Sequence, residues 1–405
     1  MTRPKINFFM VDLFKTGGVR FYLELANRLA GLGQYDIIVT YYYKEKSPFH
    51  IVKEGVKLVP LAIFEPKPSY SASVLSRGLA FYRERLRGRE PEPLYFYLDR
   101  LLRRRFGIGL DLSPIFVDNI PESDIIIASW NTDALCAYIS GKGIPVYLAQ
   151  TAPQLYKETS QYRNQNASIE LEKLMYKAYQ YFLSASEYNR ELISSVNKQA
   201  KSFIVNPAVD TNVFRPNEAK RLEPEVPTVS VIVSPFRFKG TDDALKVLNR
   251  VNERRRIVVL FVGSRQSLGI IKKSSPELDF SYELIEGASD EKMAEVYSES
   301  DVFLYTSYEE GFGLPPLEAM GCRTPVVMTD CKGSREYAQN NYNALIANPG
   351  DVDTLTRHVL RLLEDKNLRQ EITEGGYATV RKFCWTRTLE QARAAIEGIL
   401  EDRNR

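Results

Sequence analysis

Residues 302–327, VFLYTSYEEGFGLPPLEAMGCRTPVV, hold the densest chemistry in this 405-residue sequence. An apolar run ends near Thr306 and a glycine loop follows, Glu310-Gly311-Phe312-Gly313-Leu314. Pro315 and Pro316 then fall where proline is tolerated, in the first turn of a helix running through Leu317, Glu318, Ala319 and Met320. A glycine loop feeding a helix N-terminus gathers unpaired N–H groups where the helix dipole favours negative charge, and a diphosphate suits such a place. Glu310 and Glu318 would be repelled by that diphosphate unless they serve other parts of the same ligand. Glu318, expected in the first helical turn, suits the paired hydroxyls of a ribose, and Glu310 suits a sugar beyond the phosphates. Alone, each acid reads as an ordinary helix or loop charge. The ordered set of two acids, two glycines and two prolines does not.

The elements that must position this loop follow from the apolar runs. Ile6 to Val11, Asp36 to Tyr43, Val56 to Leu61, Asp124 to Ala128, Val146 to Ala149, Tyr181 to Ala185 and Ser202 to Val205 read as buried strands. A second series comprises Val229 to Val233, Ile257 to Val262, Tyr282 to Ile285, Val302 to Tyr305 and Pro325 to Met328. Helical stretches separate them, as in Val19 to Leu32 with Phe21, Leu25 and Leu29 on one face. Continuous apolar strands alternating with helices describe parallel sheets covered on both sides, an α/β class. The series break near residues 205–215, which predicts two successive α/β domains.

Composition narrows the field. Fifty-four basic against 51 acidic side chains give a formal net charge of +3, which offers no global attraction for nucleic acid. Four scattered cysteines without a C-x-x-C pair and two histidines argue for a reduced, metal-poor cytoplasmic protein. No stretch approaches the roughly 20 apolar residues of a bilayer span, and the N-terminal run is too interrupted for a signal peptide. Residues 77–105 carry nine arginines against four acids among aromatic residues and leucines. They read first as a solvated helical hairpin, with a surface for anionic lipid or acceptor as the alternative. The one Asp-x-Asp sequence considered for a cation, Asp351-Val352-Asp353, sits where a helix cap belongs, so no metal is expected.

The string E-G-F-G-L-P-P-L-E-A-M-x-x-x-x-P-V-V resembles the signature of retaining, nucleotide-sugar-dependent glycosyltransferases of the family-four type (glycosyl transferases group 1). Asn206-Pro207-Ala208-Val209-Asp210 with Phe214-Arg215-Pro216, Gly333-Ser334-Arg335-Glu336, Asn343-Ala344-Leu345, Pro349-Gly350-Asp351, and Phe383 with Trp385 are similar to further segments of that family. The resemblance implies the GT-B architecture, two Rossmann-like domains facing a cleft. Residues 1–205 would bind the acceptor, residues 206–385 the donor, and a last helix at about 386–405 would return to the first domain. It implies Glu310 at the donor sugar, Glu318 at the ribose, and backbone donors from Gly311, Phe312, Gly313 and Leu314. Lys239, before Gly240, would neutralise the diphosphate together with Arg237, which is closer to it than in the family, or with Arg265. Gly17-Gly18 matches the family's N-terminal glycine pair, which implies a donor-binding turn where backbone can approach the donor phosphate and the acceptor. Many relatives carry a histidine after the central N-terminal strand; here Ser129-Trp130-Asn131 stands instead. Trp130 reads as core first and as a sugar platform second, with Asn131 beside it.

The implied activity is transfer of a sugar from a nucleotide diphosphate-sugar to a hydroxyl of a cell-envelope or lipid-linked glycan, with retained anomeric configuration and no metal or other cofactor. A nucleotide-sugar epimerase of related fold, or a binding scaffold without catalysis, remains an alternative. The expected location is cytoplasmic, with peripheral membrane contact through residues 77–105.

Overall fold

A computed structural model of the chain describes residues 3–10, 17–41, 55–60, 120–150, 165–216, 226–274 and 278–403. The basic segment 77–105 lies outside these, as does most of the loop expected at 217–227. The chain divides into two compact units. One comprises Met1–Ala185, Asn189–Val205 and Leu389–Arg405, the other Ser186–Tyr188 and Asn206–Thr388. The short piece Ser186–Tyr188, inside the expected first domain, groups with the second unit.

The N-terminal unit is built on β1 (Lys5–Met10), β2 (Asp36–Tyr41), β3 (Val56–Pro60), β4 (Ile125–Ala128), β5 (Ile144–Ala149), β6 (Tyr181–Ser184) and β7 (Lys201–Ile204). These form one parallel sheet in the order β3-β2-β1-β4-β5-β6-β7. Phe8 of β1 stands opposite Val39 on one side and Ile127 on the other. Its helices include α1 (Gly17–Gly31), α2 (Asn131–Ser140), α3 (Gln165–Ala178) and α4 (Glu187–Val196). Tyr147, Tyr176, Tyr179 and Phe182 form an aromatic core with ring centroids 5.6–6.0 Å apart. Buried phenols need partners. The Tyr179 hydroxyl donates to the Ala134 carbonyl at 2.6 Å, and that of Tyr147 to Glu172 Oε1 at 2.7 Å.

The second unit holds β8 (Thr228–Ile232), β9 (Val258–Gly263), β10 (Ser281–Glu286), β11 (Val302–Tyr305), β12 (Val326–Thr329) and β13 (Leu345–Ala347). Its sheet order is β10-β9-β8-β11-β12-β13, again parallel, with Val231 opposite Phe261 and Leu304. Its helices are α5 (Thr241–Arg254), α6 (Arg265–Ser274), α7 (Asp290–Glu299), α8 (Leu314–Gly321), α9 (Val352–Glu364) and α10 (Lys366–Val380); α11 (Trp385–Arg403) follows and from Leu389 onward groups with the N-terminal unit. Val247, Leu248 and Val251 of α5 join Leu355, Val359 and Leu362 of α9 over Val231, Phe261 and Leu304. Asp351 caps α9 by accepting the Thr354 N–H at 3.0 Å, and these bonds hold its carboxyl below the usual range.

The strand expectations are met within one or two residues at each described end. One strand lies beyond those expected from the apolar runs: Leu345–Ala347 forms the edge strand β13, pairing with β12. No described helix is long and apolar enough to cross a membrane.

One buried group makes stability depend on pH. Burial raises the Glu172 carboxyl from 4.5 to about 7, against the lowering effect of hydrogen bonds from Tyr147 and Tyr176. Between those values the folded chain holds a proton that the unfolded chain releases, so stability falls as pH rises through the window and stays lower above it. Glu172→Gln should therefore stabilise the protein at pH 8 by up to about 3 kcal/mol and change little at pH 4.5. Thermal midpoints of both proteins across this range check it, and a difference independent of pH would contradict it.

Candidate functional site

In an open parallel sheet, ligands bind beyond the carboxyl ends of the strands where the strand order reverses. In the second unit that place lies between β8 and β11. After β8 the chain makes a tight turn, Arg237–Lys239, ending on Gly240 in the left-handed region at φ 68°. After β11 it enters the loop carrying Glu310. The two loops are fastened together at their bases. The Tyr308 N–H donates to the Phe238 carbonyl at 2.7 Å, and the Thr306 hydroxyl to the Gly240 carbonyl at 2.8 Å. A Cβ on Gly240 would stand 2.1 Å from the Thr306 carbonyl oxygen, so no other residue fits without moving backbone.

This fastening brings Lys239 Nζ to 2.6 Å from Glu310 Oε1. The Tyr305 hydroxyl donates to the same oxygen at 2.7 Å. The Lys239 and Glu310 side chains keep 31% and 13% of their surface in solvent, so a ligand can reach both. The lysine also lies 5.3 Å from the centre of the Phe238 ring, which stacks on the more exposed Phe236.

The loop is held on its far side as well. The Glu310 N–H donates to the Cys331 carbonyl at 2.8 Å, and the Gly333 N–H to the Glu310 carbonyl at 3.1 Å. The Ser186 hydroxyl donates to the Gly311 carbonyl at 2.5 Å, and the Tyr337 hydroxyl to that of Gly313. The Phe312 ring is buried against Tyr337 and Phe383. Gly313, at φ 84°, starts α8, whose second and third residues are Pro315 and Pro316. Two of the N–H groups expected at this helix start are therefore absent.

Glu318 corrects the sequence reading. Because α8 begins at Leu314, Glu318 falls in its second turn, 5% exposed, where it accepts the Tyr297 hydroxyl at 3.3 Å. Burial keeps the surrounding groups neutral. It raises Cys331 to about 12, with the Glu310 charge adding to the effect, and raises the phenols of Tyr305 and Tyr337 well above 10. Cys331 therefore remains a thiol and is no nucleophile.

Other expected residues are placed as follows. Arg237 begins the turn that carries Lys239 and is exposed. Arg265 begins α6 beyond β9 and is paired with Glu286, Nε to Oε1 at 3.1 Å. In the N-terminal unit, β1 and β4 are neighbours at the corresponding reversal, with Gly17 opening α1 and Asn131 opening α2. Trp130 is 39% exposed there, contrary to the core position expected for it. Gln150, which the sequence did not single out, lies beside Gly18, where a Cβ would be 3.1 Å from its Oε1. Its amide donates to Ser129 Oγ at 2.7 Å. Asp353 pairs with Arg250, and among the described residues no three His, Cys, Asp or Glu side chains gather as a metal site. Tyr305 and Ser186 were also missed. In the sequence Tyr305 only closes an apolar strand five residues before Glu310, and nothing there marks its hydroxyl.

Residues 213–379, about two fifths of the chain, match the family described as Glycosyl transferases group 1. The O-antigen chain mannosyltransferase B of Escherichia coli is 37% identical over 102 residues, 25% of this chain and 26% of that protein. The MMP alpha-(1->4)-mannosyltransferase of Mycolicibacterium hassiacum is 29% identical over 198 residues, 48% of this chain and 47% of that one. The chain thus matches about half or less of the length of these curated relatives. Among solved structures, sucrose-phosphate synthase from Thermosynechococcus elongatus superposes with a TM-score of 0.74 at 16% identity, covering 99% of this chain and 100% of that one. The chain has the GT-B fold, two Rossmann-like units with parallel sheets, and its residues 213–379 match the group 1 glycosyltransferase family.

The contact between Gly240 and Thr306 yields a stability test. Gly240→Ala should destabilise the chain by about 3 kcal/mol or more, because the new methyl meets backbone as well as an unfavourable φ. Gly287→Ala shares a positive φ of 59° but meets nothing within 4 Å, and should cost only about 1 kcal/mol. Denaturant unfolding of both variants compares them; equal losses would show that the close approach carries no energy.

Proposed function

We propose that the protein transfers a sugar from a nucleotide diphosphate-sugar to a hydroxyl acceptor, with retention of anomeric configuration. The observation that carries this reading is the Lys239–Glu310 pair at the β8/β11 reversal, beside a glycine loop that opens a helix. A cation, a carboxylate and a helix start at one strand end supply what the two ends of an activated sugar require.

In this reading Lys239, with Arg237 on the same turn, offsets the charge that grows on the departing diphosphate. Arg265 lies one strand further out and adds to that field on leaving Glu286. Backbone groups of Gly311, Phe312, Gly313 and Leu314 meet the phosphate and sugar, and Glu318 meets the ribose. The sugar passes through an oxocarbenium-like state while its bond to the diphosphate breaks. The acceptor hydroxyl adds on the same face and gives its proton to a diphosphate oxygen. Glu310 orients the sugar and offsets its positive charge without attacking it. No divalent cation takes part, because lysine and the helix start do that work. The N-terminal unit, through Trp130 and Asn131, receives the acceptor. The name of the Escherichia coli relative, which acts on an O-antigen chain, supports a cell-envelope glycan as acceptor, and both relatives' names place mannosyl donors first in any screen.

A thermal-shift screen against UDP-, GDP-, ADP- and dTDP-sugars should reveal one preferred nucleotide by a raised melting temperature. Transfer from that donor, unaffected by EDTA and giving a product of unchanged anomeric configuration by NMR, is the expected result. Glu310→Ala should lower kcat by about a hundredfold and leave nucleotide affinity near its starting value. Glu318→Gln, which keeps a partner for Tyr297, should weaken nucleotide binding by about tenfold. Full transferase activity in both variants would refute the assignment.

A further inference from the structure

We propose that Tyr305 is a positioning residue for Glu310, holding its carboxylate in place when the donor's diphosphate draws Lys239 away. The inference rests on the glycosyltransferase reading above. Two donors converge on Glu310 Oε1, the Lys239 ammonium at 2.6 Å and the Tyr305 hydroxyl at 2.7 Å. Both of the hydrogen bonds described to the Glu310 side chain thus fall on one oxygen.

The two donors differ in what they can do next. Lys239 is a long, partly exposed cation, and an arriving diphosphate competes with Glu310 for it. If Lys239 were the only partner, donor binding would leave the carboxylate free to rotate at the moment it must orient the sugar. Tyr305 cannot follow the phosphate. It is the last residue of the central strand β11, 5% exposed, with its ring 6.0 Å from that of Phe303. Its hydroxyl is neutral, so it does not compete for the diphosphate. Burial and the neighbouring carboxylate keep it protonated, and so a donor, across the range in which proteins work. A fixed neutral donor beside a movable charged one lets the loop release its lysine without releasing its glutamate.

The test is a double-mutant cycle on the full chain, using the nucleotide-sugar found by the donor screen. Tyr305→Phe keeps the ring and removes only the hydroxyl. We expect kcat to fall about tenfold, and the nucleoside diphosphate Kd, measured by calorimetry, to stay within about twofold. In a Glu310→Gln background the same substitution should change kcat by less than about twofold, since its effect passes through the Glu310 carboxylate. A structural role would instead cost the same in both backgrounds, and that result overturns the proposal. So does a Tyr305→Phe enzyme with unchanged kcat. Wild-type protein that transfers no sugar from any donor overturns the glycosyltransferase reading and this inference together, whereas an active wild type with an indifferent Tyr305 overturns this inference alone.

Discussion

A glycine backbone pressed against a threonine carbonyl underlies the candidate site. Gly240 closes the turn after β8, and Thr306 opens the loop after β11, at a distance that excludes any side chain. With hydrogen bonds from Thr306 and Tyr308 across the same seam, two loops from neighbouring strands become one rigid body. Lys239 and Glu310 project from that body, so their 2.6 Å contact is set by backbone rather than by chance meeting of long side chains. An exposed ion pair contributes little to stability. Its value here is that it is pre-placed.

The second anchor of the Glu310 loop comes from the strand after α8. Cys331 and Gly333 bond the Glu310 backbone, and the glycine is again required because a Cβ would stand 2.3 Å from the Gly311 carbonyl. Phe312, between the glycines, drives its ring into Tyr337 and Phe383, so the loop is tied to its own unit by apolar packing as well. The backbone between Gly311 and Leu314 is thereby held where a ligand could meet it without first having to order it.

Much of the fold was legible because parallel strands covered on both faces leave uninterrupted apolar runs. The runs at 302–305 and 326–329 are buried at every position. Where that cause weakens, reading fails. β13 has three residues and a single neighbouring strand, too little to leave a pattern. The site was legible as separate residues but not as a meeting. Lys239 and Glu310 are 71 positions apart, and only the order β8 beside β11 joins them. Trp130 was misjudged because hydrophobic size says nothing about which strand end faces solvent. Glu318 slipped by a turn because the helix start was read from the prolines rather than from Leu314. Tyr305 was hidden by its own burial, since a tyrosine at the end of an apolar strand looks like core until its hydroxyl is traced.

The two prolines at the start of α8 have a consequence for hydration. An ordinary helix start keeps several orphan amides wet, and a ligand must strip that water before it binds. Pro315 and Pro316 carry no amide hydrogen, so two of those waters have nothing to hold them. An anion arriving there would have less ordered solvent to displace.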